Sequence, residues 1–235
     1  MADPDEPVAP DHTRSARNRA ARAEVLARVR TALADRPLAP EIPRDYHRHR
    51  ELPAGFATVL DLLDERVVDY RAVVHRVAEA ELVDTIATVL AERGVRTMVG
   101  PADLPREWQV PGVTWRLDGA SDQDGGGALS VSDLDGADGV LTGCALAIAE
   151  TGTIVLDAGA AQGRRALTLV PDYHLCVVHA NQVVGTVPEG VARLNPARPL
   201  TFISGPSATS DIELDRVEGV HGPRTLEVIL VEPSA

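Results

Sequence analysis

Between Tyr70 and Val99 the hydrophobic pattern changes period twice. Tyr70 to Val77 reads as a strand, after which Leu82, Ile86, Val89 and Leu90 recur at the spacing of one helical face. Gly94 stands where a helix closes in the left-handed region, and Val95 to Val99 then runs apolar as a second strand. A strand, helix, strand series of this length is a βαβ unit, which implies parallel strands and a right-handed crossover. The fold class expected is therefore α/β, with a mostly parallel sheet flanked by helices.

The rest of the pattern fills in around that unit. Val25, Leu26, Val29 and Leu33 form one stripe between Ser15 and about Ala34, with Arg22, Arg28 and Arg30 elsewhere, so an amphipathic helix should end before Pro37. Residues 1–14, rich in Pro, Asp and Ala, are expected to be a disordered tail, and residues 15–53 an N-terminal helix with a proline-rich connector. His47 and His49 in that connector lack the framework of a metal site. The α/β domain would then occupy residues 54–235.

Within the domain, Val59, Leu60 and Leu63 mark a helix, and Val113 to Leu117 a strand. Residues 121–128 hold two aspartates and three glycines without the ligand spacing of a calcium loop, and read as a surface turn. Ile154 to Leu156 and Leu175 to Val178 are short apolar runs. Thr186-Val-Pro-Glu189 is a capping box with proline in the first turn, opening a short helix to about Leu194. Leu200 to Ile203 is a strand, and Thr225 to Val231 a final, nearly all-apolar strand suited to a buried place in the sheet.

Composition narrows the chemistry. The 235 residues carry a formal charge of −12, which argues against nucleic acid as a partner, because phosphate neutralisation needs a basic face. All 23 basic residues are arginine. Without lysine there is no Schiff base, no P-loop lysine and no Ser-Lys dyad. Cys144 and Cys176 are too few for an iron–sulfur cluster and sit in apolar runs, as small buried hydrophobes would. No stretch reaches the roughly 18 to 20 apolar residues of a spanning helix, so a soluble, cytoplasmic chain is expected.

Five stretches could carry chemistry. In Glu150-Thr151-Gly152-Thr153 the glycine permits a sharp turn, the hydroxyls could hold an anion, and Glu150 could act as base, nucleophile or ligand; an ordinary turn with Glu150 capping amides fits equally. Gly159 to Arg165 is a glycine-bracketed loop whose Arg164 and Arg165 could clamp a carboxylate or phosphate, and it lacks the dinucleotide spacing. His174, next to an acid at a strand entry, is a proton shuttle or a histidine satisfied by backbone. Ser204 to Asp211, with Gly205 and Ser207, has the composition of an anion-binding nest or of a capping turn. His221-Gly-Pro-Arg224 would complete a polar cluster with Asp211 if the two turns lie together.

The ordered series IAETGTIVLDAG, RRALTLVPDYHLCVVHANQVV, ISGPSATSDIE and GVHGPRTLEVILV resembles the LUD domain family, over about residues 60 to 232. The resemblance implies a NagB/RpiA/CoA-transferase-like fold and a role in oxidising L-lactate to pyruvate with two iron–sulfur lactate utilization proteins. Those partners would carry the clusters, with or without a flavin, and this chain would bind no cofactor of its own. On this reading a small organic anion sits in a pocket of Thr151, Gly152, Thr153, Gly163, Arg164, Gly205, Ser207, Asp211 and Arg224, with Glu150 and His221 as candidates for catalysis. The alternative is a free-standing acyl- or CoA-transferase-like enzyme, because Glu150-Thr-Gly152 resembles the glutamate-x-glycine of CoA transferases and would make Glu150 a nucleophile.

Overall fold

The computed structural model describes residues 12–34, 41–46, 48, 55–119, 127–209, 217–218 and 222–233. The chain divides into two units, Met1–Tyr46 and His47–Ala235. The first contains α1 (His12–Ala32), three residues longer at its start than the apolar stripe predicts. Val25, Val29 and Leu33 of that stripe are exposed.

The second unit opens with α2 (Ala57–Asp69), β1 (Val73–Ala78), α3 (Leu82–Glu92), β2 (Thr97–Pro101) and β3 (Thr114–Asp118). Then come α4 (Val131–Asp135), β4 (Gly139–Thr142), β5 (Leu146–Ile148), β6 (Thr153–Leu156) and β7 (Tyr173–His179). The remainder is β8 (Val183–Val184), α5 (Val187–Arg193), β9 (Thr201–Ile203), β10 (Ala208–Thr209), β11 (Val217–Glu218) and β12 (Thr225–Glu232).

Six strands form one sheet in the order β1-β12-β7-β4-β2-β3, every neighbouring pair parallel. The expected βαβ unit is present, yet β12, β7 and β4 lie between its two strands, so α3 carries the chain across the sheet. Those inner places go to the strands with apolar residues on both faces. Leu175, Val177, Ile229 and Val231 pack with Leu82, Ile86, Val89 and Leu90 of α3 on one side. Cys176, Val178, Val228 and Leu230 face the other, against Val59, Leu60 and Leu63 of α2 and Ala147 and Ile154 of β5 and β6. Burial on both faces is what a parallel sheet requires.

A second sheet, ordered β8-β5-β6-β9, covers part of that second face. Its β5, β6 and β9 run antiparallel, whereas β8 pairs parallel to β5. The final strand also carries one buried acid, Glu227, at 4 % exposure. Arg93, the residue that closes α3, donates to its carboxylate, His75 lies 3.2 Å away and the Tyr173 hydroxyl 3.4 Å away. The Arg93 guanidinium also stacks over the Tyr173 ring at 4.6 Å, so this charge is paired on three sides.

Candidate functional site

A cavity of about 230 Å³ lies at the N-terminal ends of β7 and β12, walled on one side by β9. Its polar lining comes from Arg165, Thr168, His174, Thr201, Ser204 and Ser207, and its apolar lining includes Ile203, Pro223 and Leu226. His174 and Leu226 are register partners on adjacent strands, which sets the cavity floor.

The Gly-Arg-Arg loop reaches this cavity with its second arginine. Gly163 has φ +68°, and a Cβ there would come within 2.4 Å of Leu167 Cδ1, so the turn that parts the two arginines requires glycine. Arg164 turns away and forks onto Asp118, Nε to Oδ2 at 2.8 Å and Nη2 to Oδ1 at 2.9 Å. Burial alone would raise the Asp118 carboxyl, but the Arg164 fork and the Leu129 amide outweigh it and hold the group below the usual carboxylate range. Arg165 instead donates from Nη1 to the Thr168 carbonyl at 2.7 Å and to Thr168 Oγ1 at 3.1 Å, and burial pushes its guanidinium down from its ordinary value.

His174 is 1 % exposed, with Nε2 2.8 Å from Thr142 Oγ1. The Ser204 hydroxyl lies 2.8 Å from Thr153 Oγ1, which in turn lies 2.7 Å from Thr151 Oγ1. The predicted ETGT hydroxyls therefore stand one layer behind the cavity wall. Gly205, at φ +84°, lets the Ser204 turn press on Tyr70, since a Cβ would meet Tyr70 Cβ at 2.5 Å. The Ser207 N–H donates to the Pro223 carbonyl at 2.8 Å and ties this turn to the residues before β12.

The other expected residues fall elsewhere. Glu150 Oε1 accepts the N–H of Val187 at 2.8 Å, the first residue of α5, and Glu150 is not among the cavity lining. Gly152 has φ +57° and leaves no room for a Cβ, which would meet the Arg66 backbone at 2.8 Å. Arg224 forks onto Asp172, with Nε 2.7 Å from Oδ1 and 2.8 Å from Oδ2, and lowers that exposed carboxyl. Asp211 and His221 lie outside the described residues.

One lining residue of weight, Thr168, had no signal of its own, and Ser204 opened a marked loop without being among the residues expected in the pocket. No carboxylate stands among the described lining residues, whereas Arg165 brings a cation and the serines and threonines bring donors. Such a lining favours an anion with further hydrogen-bonding groups. Among the described residues no group of three His, Cys, Asp or Glu is placed to hold a metal ion, and no helix is long and apolar enough to cross a membrane.

Residues 60–231 match the family model of the LUD domain. The chain belongs to the LUD domain family. It is 50% identical over 183 residues to the lactate utilization protein C of Deinococcus radiodurans, a match covering 76% of this chain and 82% of that protein. The lactate utilization protein C of Bacillus subtilis is 29% identical over 137 residues, 54% of this chain and 55% of that one. The crystal structure of a DUF162 family protein from Deinococcus radiodurans superposes with a TM-score of 0.61 at 43% identity, covering 74% of this chain and 97% of that chain. The LUD domain thus comprises the six-stranded parallel sheet, the smaller second sheet and all the described lining of the cavity.

Proposed function

We propose that this LUD-domain chain serves lactate utilization as the subunit that holds a small organic anion, while two iron–sulfur proteins carry out the oxidation of L-lactate to pyruvate. The observation that carries the reading is the cavity that joins Arg165 to Ser204, Ser207 and His174 without an acid among its described lining. A lactate or pyruvate carboxylate matches the guanidinium, its hydroxyl or keto oxygen matches the serine hydroxyls, and its methyl group suits Leu226 and Ile203. The similarity to lactate utilization protein C of Deinococcus radiodurans and of Bacillus subtilis supports the lactate part of the reading.

The electrons would travel in the partners. A cluster takes about four thiolates, and the chain offers two buried thiols, Cys144 and Cys176, the former pushed up by its neighbour Cys176 and by burial, and so kept protonated. Glu150 is engaged by the first amide of α5, which supports a helix-capping role over that of an acyl-accepting nucleophile.

Reconstitution tests the proposal. L-lactate-dependent dye reduction by the two iron–sulfur proteins should need this chain, and Arg165→Gln should fail to restore it. Full turnover by the partners without the chain, or robust lactate oxidation by the chain alone, would overturn it.

A further inference from the structure

A second cavity, of about 380 Å³, opens at the other end of the sheet, beyond the carboxyl ends of β4 and β7. In open parallel sheets the loops leaving those ends are the usual place for ligands. Here they supply Cys144 and Asn181, joined by Asp157, Gly159 and Gln162 from the loop after β6 and by Arg193 from the end of α5.

Three observations define what this cavity would accept. Gln162 is 4 % exposed, and its Oε1 accepts the Asp157 N–H at 2.6 Å, which fixes the amide so that Nε2 is the free end. Among the described residues no acceptor meets that Nε2, and a buried donor of this kind calls for a partner. Gly159 leaves no room for a side chain: a Cβ there would lie 2.6 Å from Asp157 Oδ1, 3.1 Å from Gln162 Nε2 and 3.3 Å from Arg198 Nη2, so these polar atoms stand close together at the glycine. One acceptor grouped with two donors is the complement of a hydroxyl group.

Charge supplies the third constraint. Arg198 is committed to the loop, with Nη1 3.0 Å from Asp157 Oδ2 and Nη2 3.1 Å from the Ala158 carbonyl, so it offsets the one acid of the lining. Among the described residues Arg193 makes one hydrogen bond, from Nη1 to the Asn181 carbonyl at 3.4 Å, and keeps most of its planar fork for a ligand. The balance of two arginines and one aspartate suits a single negative charge.

We propose that this cavity is a separate ligand site for a polyhydroxylated monocarboxylate of the sugar-acid class. The carboxylate sits on Arg193, and a hydroxyl lies between Gln162 Nε2 and Asp157 Oδ1. Site and ligand both differ from those of the lactate-site proposal, so either can fail alone.

Titration calorimetry on the full chain tests it, with sodium gluconate as probe. Acetate, sorbitol and inorganic phosphate serve as controls that carry the charge, the hydroxyls or a different oxyanion. Gluconate should bind, and all three controls should bind at least tenfold more weakly. Arg193→Gln, at an exposed position that leaves folding intact, should weaken gluconate at least tenfold, and Gly159→Ala and Gln162→Leu should weaken it as well. Lactate or pyruvate binding should stay unchanged in Arg193→Gln. Absence of gluconate binding at millimolar concentration, equal binding of phosphate, or affinity untouched by Arg193→Gln would each overturn the proposal. Loss of gluconate binding in Arg165→Gln would also overturn it, by moving the ligand to the first cavity.

Discussion

The two ends of β7 are built from one strand and differ in kind. At its start, His174 is sealed against Thr142 beside an arginine and a set of hydroxyls, with no acid among the described lining. Past its end, Asn181 and Gln182 lead into an amide-rich cavity that includes Asp157. The carboxyl end is where a parallel sheet ordinarily offers a site. The amino end became a cavity because β9, from the second sheet, and the turn at Ser204 to Ser207 wall in ground that is otherwise open. A parallel sheet with a small mixed sheet laid on one face can therefore be walled into a cavity at both ends.

The largest test of that picture strikes what both ends share. Glu227→Ala leaves Arg93 and His75 facing an unpaired hole beside β7 and should cost about 3 kcal/mol, discounted for the partial exposure of the two cations, by urea unfolding. Binding at both cavities should fall together in that variant, because the strand that separates them loosens. Next, Arg165→Gln should weaken lactate or pyruvate at least tenfold, about 1.4 kcal/mol, and leave gluconate alone. Calorimetry on the two ligands reads both halves of that statement.

A smaller effect separates capping from catalysis. Glu150→Gln removes a charge from the first turn of α5 and should lower stability by about 0.5 to 1 kcal/mol in thermal unfolding, with anion binding unchanged. A collapse of reconstituted dye reduction with the fold intact would place Glu150 in the reaction instead. The smallest effect is an acid limit on stability. Asp118, Asp133, Asp138 and Asp172 all lie below the ordinary carboxylate range, Asp133 at about 2 through its bonds to Ser130 and Arg116. A depressed folded-state value stabilises above the unfolded value, about 4, and that contribution is lost as pH falls from there towards about 2. Melting temperature should therefore hold down to about pH 4 and then decline, and Asp118→Asn should flatten that decline.

Local signals were the legible part of the fold. Leu82, Ile86, Val89 and Leu90 are all buried on α3, Gly94 has φ +67°, and Thr186 Oγ1 accepts the Glu189 N–H while Glu189 Oε2 accepts the Thr186 N–H. Each of these depends on residues a few positions apart. Strand order does not: the pattern implied parallel β1 and β2 but held nothing to place three strands between them. The apolar pattern marked neither β4 nor β5, four and three residues long.

The site divides along the same line. Four of the five marked stretches contribute to the first cavity: the arginine loop, His174, the Ser204 turn and the turn before β12. Which arginine faces inward was illegible, because the choice rests on Asp118, 46 residues from Arg164 and one residue past the strand that the pattern marked. Gln162 and Gly159 lay in a marked loop, yet an amide gains meaning only when its bond to Asp157 and its unmet Nε2 are both known.

The central claim is that lactate or pyruvate binding belongs to the amino end of β7, and calorimetry of L-lactate and pyruvate on three proteins tests it directly. The full chain and its Arg193→Gln variant should bind with equal affinity, and Arg165→Gln should bind at least tenfold more weakly. Unchanged affinity in Arg165→Gln, or its loss in Arg193→Gln, would contradict the account.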